Sequence, residues 1–368
     1  VTSYERLGVK RAVNCMGAVT FLGGAPLHPA VVEAMQAAAA RKVDLNELHV
    51  AAGRRIAELT GTEAAFVTSG AAAGFALSAA ACLTGTDVAR IARLPEIHGQ
   101  KSEIVIHRKH RSNFDHAVRS TGVRLVEFGY SRDRTEVWEL EDAICERTAA
   151  VAYIANFGND SVLPLEEVVH VAHAHGLPVF VDAAVSLPPV ANLRALPATG
   201  ADLCAFSGGK AIGGPQNTGF VAGRADLVAA CAANTNPNHN TIGRPFKVNC
   251  EAIVGLVTAL ELYVEHDEAA ERAAWISVLE AVRDAAALAE GVDCELLPTT
   301  YHGMPIPALR IPVDGAAAIA AELAAGDPGV WVAVDGPALV VNPHALVADD
   351  ADLVGGRIRE ALDRARPV

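Results

Sequence analysis

Residues 202–219, DLCAFSGGKAIGGPQNTG, carry a buried-strand pattern that runs straight into a glycine-rich turn holding one cation, Lys210. A short apolar run bounded by turn signals reads as a strand covered on both faces, and Asp202 to Phe206 fits that reading. Working outward, runs of the same length recur at Ala64 to Thr68, Glu103 to His107, Arg124 to Glu127, Ala150 to Ala155, Val179 to Asp182 and Gly219 to Ala222. Segments of helical period lie between them, at Ala71 to Leu83, Phe114 to Ser120, Glu136 to Arg147 and Leu165 to His175. This alternation predicts an α/β chain with a mostly parallel seven-stranded sheet and helices on both faces.

Before and after that core the pattern changes. Pro29 sits where a helix start tolerates proline, and Ala30 to Arg41 are nearly all helix formers, so residues 1–45 read as an N-terminal helical arm. The large domain is expected over 46–262. Cys250 to Ala289 reads as nearly continuous helix, which makes 263–290 a connecting helix. A small α+β C-terminal domain over 291–368 follows, with strands near Ala308 to Ile311, Trp331 to Val334 and Ala338 to Val341, and a closing helix from Asp349 to Arg364.

Composition narrows the function classes. The 368 residues are 51% hydrophobic, 20% charged and only 5% aromatic, which is a folded protein whose core is built from Ala, Val and Leu. A formal charge of −13 gives no global support for binding a polyanion, so nucleic acid and acidic membrane are not expected partners. Seven cysteines without a CxxC or CxC pair read as reduced, mostly buried thiols of a cytoplasmic protein, and no metal-ligand set stands out. The start of the chain shows no apolar leader. Ala64 to Thr86 lacks any charge, but Thr68-Ser69-Gly70 interrupts it, and a buried strand entering a buried helix explains it better than a membrane span.

Ligands of open parallel sheets bind beyond the carboxyl ends of the strands. Reading off those ends gives Thr68-Ser69-Gly70, Arg108-Lys109-His110, Asn156, Asp182 and Ser207 to Lys210. A strand-terminal Asp followed one strand later by a Lys in a small-residue loop is what a pyridoxal phosphate site requires. The acid keeps the pyridine nitrogen protonated, and the amine carries the cofactor as a Schiff base. Ser69-Gly70-Ala71 at a helix start suits a phosphate, because small residues let backbone N–H groups approach and the helix dipole favours the dianion. Ser207 adds a hydroxyl to the same group, Asn156 is placed at the phenolic oxygen, and His110 or His107 is expected flat against the ring. Each feature alone has a plainer explanation: a tight turn, a helix cap, a surface lysine. Their order along one sheet is what favours the cofactor.

At these residues the sequence resembles fold-type-I pyridoxal phosphate enzymes of the group related to L-seryl-tRNA selenium transferase, and within it the D-glucosaminate-6-phosphate ammonia-lyase-like proteins. The resemblance rests on Val181-Asp182-Ala183-Ala184, Ser186-Leu187-Pro188-Pro189 and Phe206 to Gly219, with support from Asn14 to Gly24, Thr68 to Gly74, His110-Arg111 and Gly243-Arg244-Pro245. It implies Lys210 as the Schiff-base lysine and Asp182 as the pyridinium partner. It also implies Ser69, Gly70, Ala71 and Ser207 around the phosphate, and Ala184 under the ring. Ser186 stands where many relatives carry Gln and is assigned to the substrate side. Sites of this fold type are usually completed across a dimer, so at least a homodimer is implied.

Chemistry then follows from the freed Lys210 amine removing the α-hydrogen of a small amino acid. Loss of a β-hydroxyl gives a 2-oxo acid and ammonia, which is the first expectation; return of the proton to the other face gives a racemase. Selenium transfer ranks last, because a charged tRNA calls for a basic surface. Arg310, in a strand of the small domain, is the candidate for the substrate carboxylate. Arg244 with Lys247 is assigned to a phosphate, of the cofactor in a partner subunit or of the substrate. His239 and His302 are loop histidines without an assigned partner. Ser207-x-x-Lys210 also has the spacing of a serine acylase, but the Ser-Asp-Asn and Lys-Thr-Gly sequences that accompany it are absent.

Overall fold

The structure is a computed structural model that describes residues 3–99, 101–131, 133–156, 161–286, 293–300 and 303–365. Its strands, in chain order, are β1 Ala12–Cys15, β2 Ala64–Thr68, β3 Glu103–His107, β4 Arg124–Phe128, β5 Thr148–Ile154, β6 Val179–Asp182, β7 Leu203–Ser207, β8 Gly219–Gly223, β9 Glu295–Leu297, β10 Ala308–Pro312, β11 Gly329–Val334 and β12 Ala338–Val341. Residues 27–265 form one compact unit, and residues up to 26 with those from 266 onward form another.

In the first unit seven strands lie in the order β2-β8-β7-β6-β5-β3-β4. All run parallel except β8, which is antiparallel to both of its neighbours. Strands buried on both faces need apolar side chains on both, which is why β3, β7 and β8 show almost no alternation in sequence and are buried along nearly their whole length. The helix Ala71–Thr84 is apolar all round for the same reason, buried at all but two of its positions. It packs against the sheet, with Phe75 tilted on Phe180 at 5.0 Å, while Phe206 stacks on Phe220 at 5.1 Å. Burying each such ring contributes about 2–3 kcal/mol. Among the described residues no helix is long and apolar enough to cross a membrane.

In the second unit five strands lie in the order β1-β11-β12-β10-β9. β1 pairs in parallel with β11, from Ala12 opposite Gly329 to Cys15 opposite Val332. Residues 12–15 are therefore part of a sheet rather than of a helical arm, because Val13 and Cys15 point inward to join Leu309, Val330 and Val341 in its core. The long helical stretch divides into Cys250–Glu265 and Glu268–Ala286. Asp267 makes the break by accepting from the backbone N–H groups of Ala269 and Ala270 at 2.9 and 3.0 Å, a helix-start cap. Its continuation to Ala289, and His302, lie outside the described residues. All seven cysteines are free: Cys15, Cys204 and Cys231 are buried, Cys145 is exposed, and the other three are in between, so fewer are buried than composition suggested.

Buried histidines make this fold sensitive to acid. His49 stacks on Phe66 at 4.5 Å with an interplanar angle of 11°, and both of its ring nitrogens are buried without a partner. Burial pushes its pKa down to about 4 from the ordinary 6.5. Since the unfolded chain takes up this proton first, stability is lost as pH falls from 6.5 through 4. At pH 4.5 this single group accounts for about 2.5 kcal/mol. His49→Leu is therefore expected to unfold later than the parent chain at pH 4.5 relative to their order at pH 7, read from urea midpoints at the two pH values.

Candidate active site

Strand directions bring the candidate residues to one edge of the sheet. β5, β6 and β7 run parallel with Ile154 opposite Asp182 and Asp182 opposite Ala205, so their carboxyl ends are level. β8 reverses and β2 reverses again, which places Thr68 and Ser207 on either side of Gly219. Neighbouring strands lie about 4.8 Å apart, so the turns after β2, β7, β6 and β5 form one rim.

Gly219 sets the spacing there. A Cβ at this position would stand 2.5 Å from the Phe206 carbonyl oxygen, 2.7 Å from the Gly70 carbonyl carbon and 2.9 Å from the Ala71 nitrogen. Without one, the start of the Ala71–Thr84 helix rests directly on β8. Gly70 itself has φ +108°, a conformation that side chains rarely adopt, and Thr68 donates its hydroxyl to the Gly70 carbonyl at 2.9 Å. The helix start has no side-chain cap, so its first N–H groups face the rim beside Ser69. Gly219→Ala is expected to cost about 1–3 kcal/mol by overpacking and to weaken phosphate binding at this helix, read from a melting curve and from titration with inorganic phosphate.

Lys210 leaves β7 in a tight turn. The Gly208 N–H donates to the Thr218 carbonyl at 2.9 Å, the Gly214 N–H to the Gly208 carbonyl at 2.8 Å, and the Gly213 N–H to the Lys210 carbonyl at 2.9 Å. Burial pushes the Lys210 amine below its usual pKa, with Asp182 acting against that shift. Burial raises the Asp182 carboxyl, opposed by the Ala184 N–H, which donates to Oδ1 at 2.9 Å, and by the Lys210 charge. Each group is thus partly desolvated and within electrostatic reach of the other.

The remaining candidates divide. Ser69, Gly70, Ala71, Asp182, Ala184, Ser207, Lys210 and His110 all sit on or beside the rim. Asn156 follows β5 and is exposed, with its N–H donating to the Ile154 carbonyl at 3.1 Å. Ser186, expected at the substrate, is 3% exposed and turns its hydroxyl back to donate to the Ala183 carbonyl at 2.9 Å, so the geometry uses it to close a turn. Arg244 lies in a loop tied by the Thr235 hydroxyl donating to the Gly243 carbonyl at 2.9 Å, with its Nη1 buried. Arg310 belongs to β10 in the other unit, where its Nη1 is 3.9 Å from Glu295 Oε2. Tyr153, which the sequence shows only as a strand residue, packs edge-on to His110 at 4.5 Å. No spacing rule singles it out, because an aromatic near a strand end is ordinary.

The family model for L-seryl-tRNA selenium transferase matches residues 12–293. The chain belongs to the L-seryl-tRNA selenium transferase family. Among relatives of this family, a 5'-C-glycyluridine monooxygenase-decarboxylase of Streptomyces sp is 36% identical over 98% of this chain and 92% of its own. A D-glucosaminate-6-phosphate ammonia lyase of Salmonella typhimurium is 32% identical over 98% of both chains. A solved structure of D-glucosaminate-6-phosphate ammonia-lyase superposes with a TM-score of 0.87 at 31% identity, over 99% of each chain. Like that ammonia-lyase structure, this chain has the fold-type-I architecture of pyridoxal phosphate enzymes, and the cofactor is pyridoxal phosphate. The rim fits it: a helix start without a side-chain cap for the phosphate, a half-buried carboxylate for a cationic ring nitrogen, and a half-buried amine within electrostatic reach of that carboxylate.

Proposed function

We propose that this chain removes ammonia from a small hydroxylated amino acid, converting it to a 2-oxo acid. The observation that supports it most is the coupled, partly desolvated Lys210 and Asp182 at the rim of a chain that aligns end to end with an ammonia lyase. When bound, pyridoxal phosphate supplies the electron sink that acidifies the α C–H of the amino acid. The chain's residues do the rest. Asp182 would hold a proton on the ring nitrogen, while Ser69, Gly70, Ala71 and Ser207 would seat the phosphate. Ala184 and His110 would flank the ring. Lys210, whose pKa burial lowers against the opposing charge of Asp182, would take the α-proton. Lys210 would pass the proton it has taken to the departing β-hydroxyl, which would leave as water; the released enamine would take a proton from water at its β-carbon, and water adding at the α-carbon of the resulting imine would release ammonia.

A second reading comes from the Streptomyces relative, a monooxygenase-decarboxylase 36% identical to this chain. The two separate in one assay: candidate hydroxy-amino acids are incubated anaerobically and in air. Elimination gives ammonia and a 2-oxo acid equally in both. Product that requires oxygen and appears with carbon dioxide would sink the lyase reading. α-Deuterium with scrambled chirality and no ammonia would turn it to a racemase. We read the assembly as at least a homodimer, as the fold type implies, to be checked by light scattering. The seven unpaired thiols fit a reducing, cytoplasmic setting.

A further inference from the structure

Two neighbouring histidines follow or end β3, and the fold uses them differently. His107 engages both ring nitrogens: Nδ1 accepts from the Lys109 N–H at 3.1 Å, and Nε2 is 2.7 Å from the Thr135 hydroxyl oxygen. His110 engages one. Its Nδ1 accepts from the backbone N–H of Ile154 at 3.4 Å, and its Nε2 is buried with no partner among the described residues.

A neutral imidazole has one acceptor nitrogen and one donor. A backbone N–H only donates, so Nδ1 of His110 must be the acceptor and the ring proton sits on Nε2. The ring is neutral over the working pH range, because burial pushes its pKa down to about 3. A buried N–H left without an acceptor costs about 1–3 kcal/mol, so this donor calls for a reason. Its position suggests one. Ile154, which holds the ring, is the cross-strand partner of Asp182. Tyr153 meets the ring edge-on at 4.5 Å and 75°, His107 meets it at 5.5 Å and 62°, and the Tyr153 hydroxyl donates to the Leu163 carbonyl at 3.2 Å. The imidazole is thus held in plane, in tautomer and in place.

We infer that His110 presents a fixed Nε2–H donor to an anionic oxygen of the bound ligand, and that Tyr153 is the residue that positions it. This rests on the cofactor lying at this rim, and it goes beyond stacking, for which any flat ring would serve. The oxygen comes either from the cofactor or from the carboxylate of the amino acid, and two stable reduced adducts tell these apart: phosphopyridoxyl-serine, and phosphopyridoxyl-ethanolamine, which lacks the carboxylate.

The test is long-range proton–nitrogen NMR on the cofactor-free protein, with the His110 signals assigned by their loss in His110→Asn. The Nε2–H tautomer is expected before any ligand is added. A downfield shift of that proton with phosphopyridoxyl-serine alone supports the carboxylate as acceptor, and a shift with both adducts supports a cofactor oxygen. The Nδ1–H tautomer, or no shift with either adduct, overturns the inference. His110→Phe, which keeps a flat ring, should bind the adduct about tenfold more weakly or worse; unchanged affinity overturns it too. Tyr153→Leu should blur the tautomer signal and raise KM for the amino acid with kcat largely kept, while Tyr153→Phe leaves both near the parent values. A change in stability without these effects would reduce Tyr153 to a packing residue. None of these binding readouts needs turnover, so the ammonia assay judges the lyase reading separately.

Discussion

Lys210→Ala is expected to lower kcat by about 10³-fold or more, some 4 kcal/mol of barrier, while the melting temperature stays near that of the parent protein. On the proposed reading two losses combine: the covalent anchor of the cofactor, and the amine that moves the α-proton. The fold should tolerate the change because the turn around Lys210 is held by backbone bonds among Gly208, Gly213, Gly214 and Thr218 rather than by the side chain. Three readings check it: ammonia release, exchange of the α-hydrogen in deuterated water, and the visible absorbance of the purified protein. Retention of α-hydrogen exchange would show that another group is the base. Borohydride treatment followed by peptide mapping should place the cofactor on Lys210 and nowhere else.

Asp182→Asn should come second, with kcat reduced by about 10²- to 10³-fold and cofactor affinity weakened. An amide cannot hold a proton on the ring nitrogen through a charge, so the electron sink is lost even with the cofactor seated. An independent readout exists in the cofactor-free protein. The Asp182 charge works to raise the Lys210 pKa against burial, so removing it should lower that pKa further. Faster acylation of Lys210 by an amine-reactive reagent at neutral pH would report this, and a slower reaction would contradict the coupling. Asp182→Glu restores the charge but moves it by one methylene, and recovery of part of the activity is expected.

How far the sequence announces this molecule depends on whether a signal is local. The seven strands of the large sheet show themselves because nearly all are short apolar runs flanked by turn residues, β4 with its Arg124 and Glu127 being the least so, and observed and expected bounds differ by no more than a residue or two. Asp182 and Lys210 stand out only together: each alone has a plainer explanation, but a strand-terminal carboxylate followed one strand later by an amine in a small-residue turn is a pattern with a chemical meaning. β1 does not announce itself. Its four residues, Ala-Val-Asn-Cys, resemble any loop until β11 lies beside them, more than 300 residues further on. The division at His266 and Asp267 was readable, since Asp is a good helix cap, but the helix formers on both sides masked it. Ser186 shows the limit at the site: a hydroxyl after a strand-terminal Asp looks chemical, yet a neighbouring backbone carbonyl claims it. His110 is the converse case, where composition offers two equal histidines and only their bonding partners separate them.

The pairing of β1 with β11 also bears on how the chain is made. Val13 is synthesised more than 300 residues before the strand it joins. Residues 27–265 carry every strand of the large sheet and can assemble while synthesis continues. β1 lacks its partner strand until Val330 is made, and Val13 and Cys15 lack their core until then. During that interval it is a natural landing place for holdase chaperones.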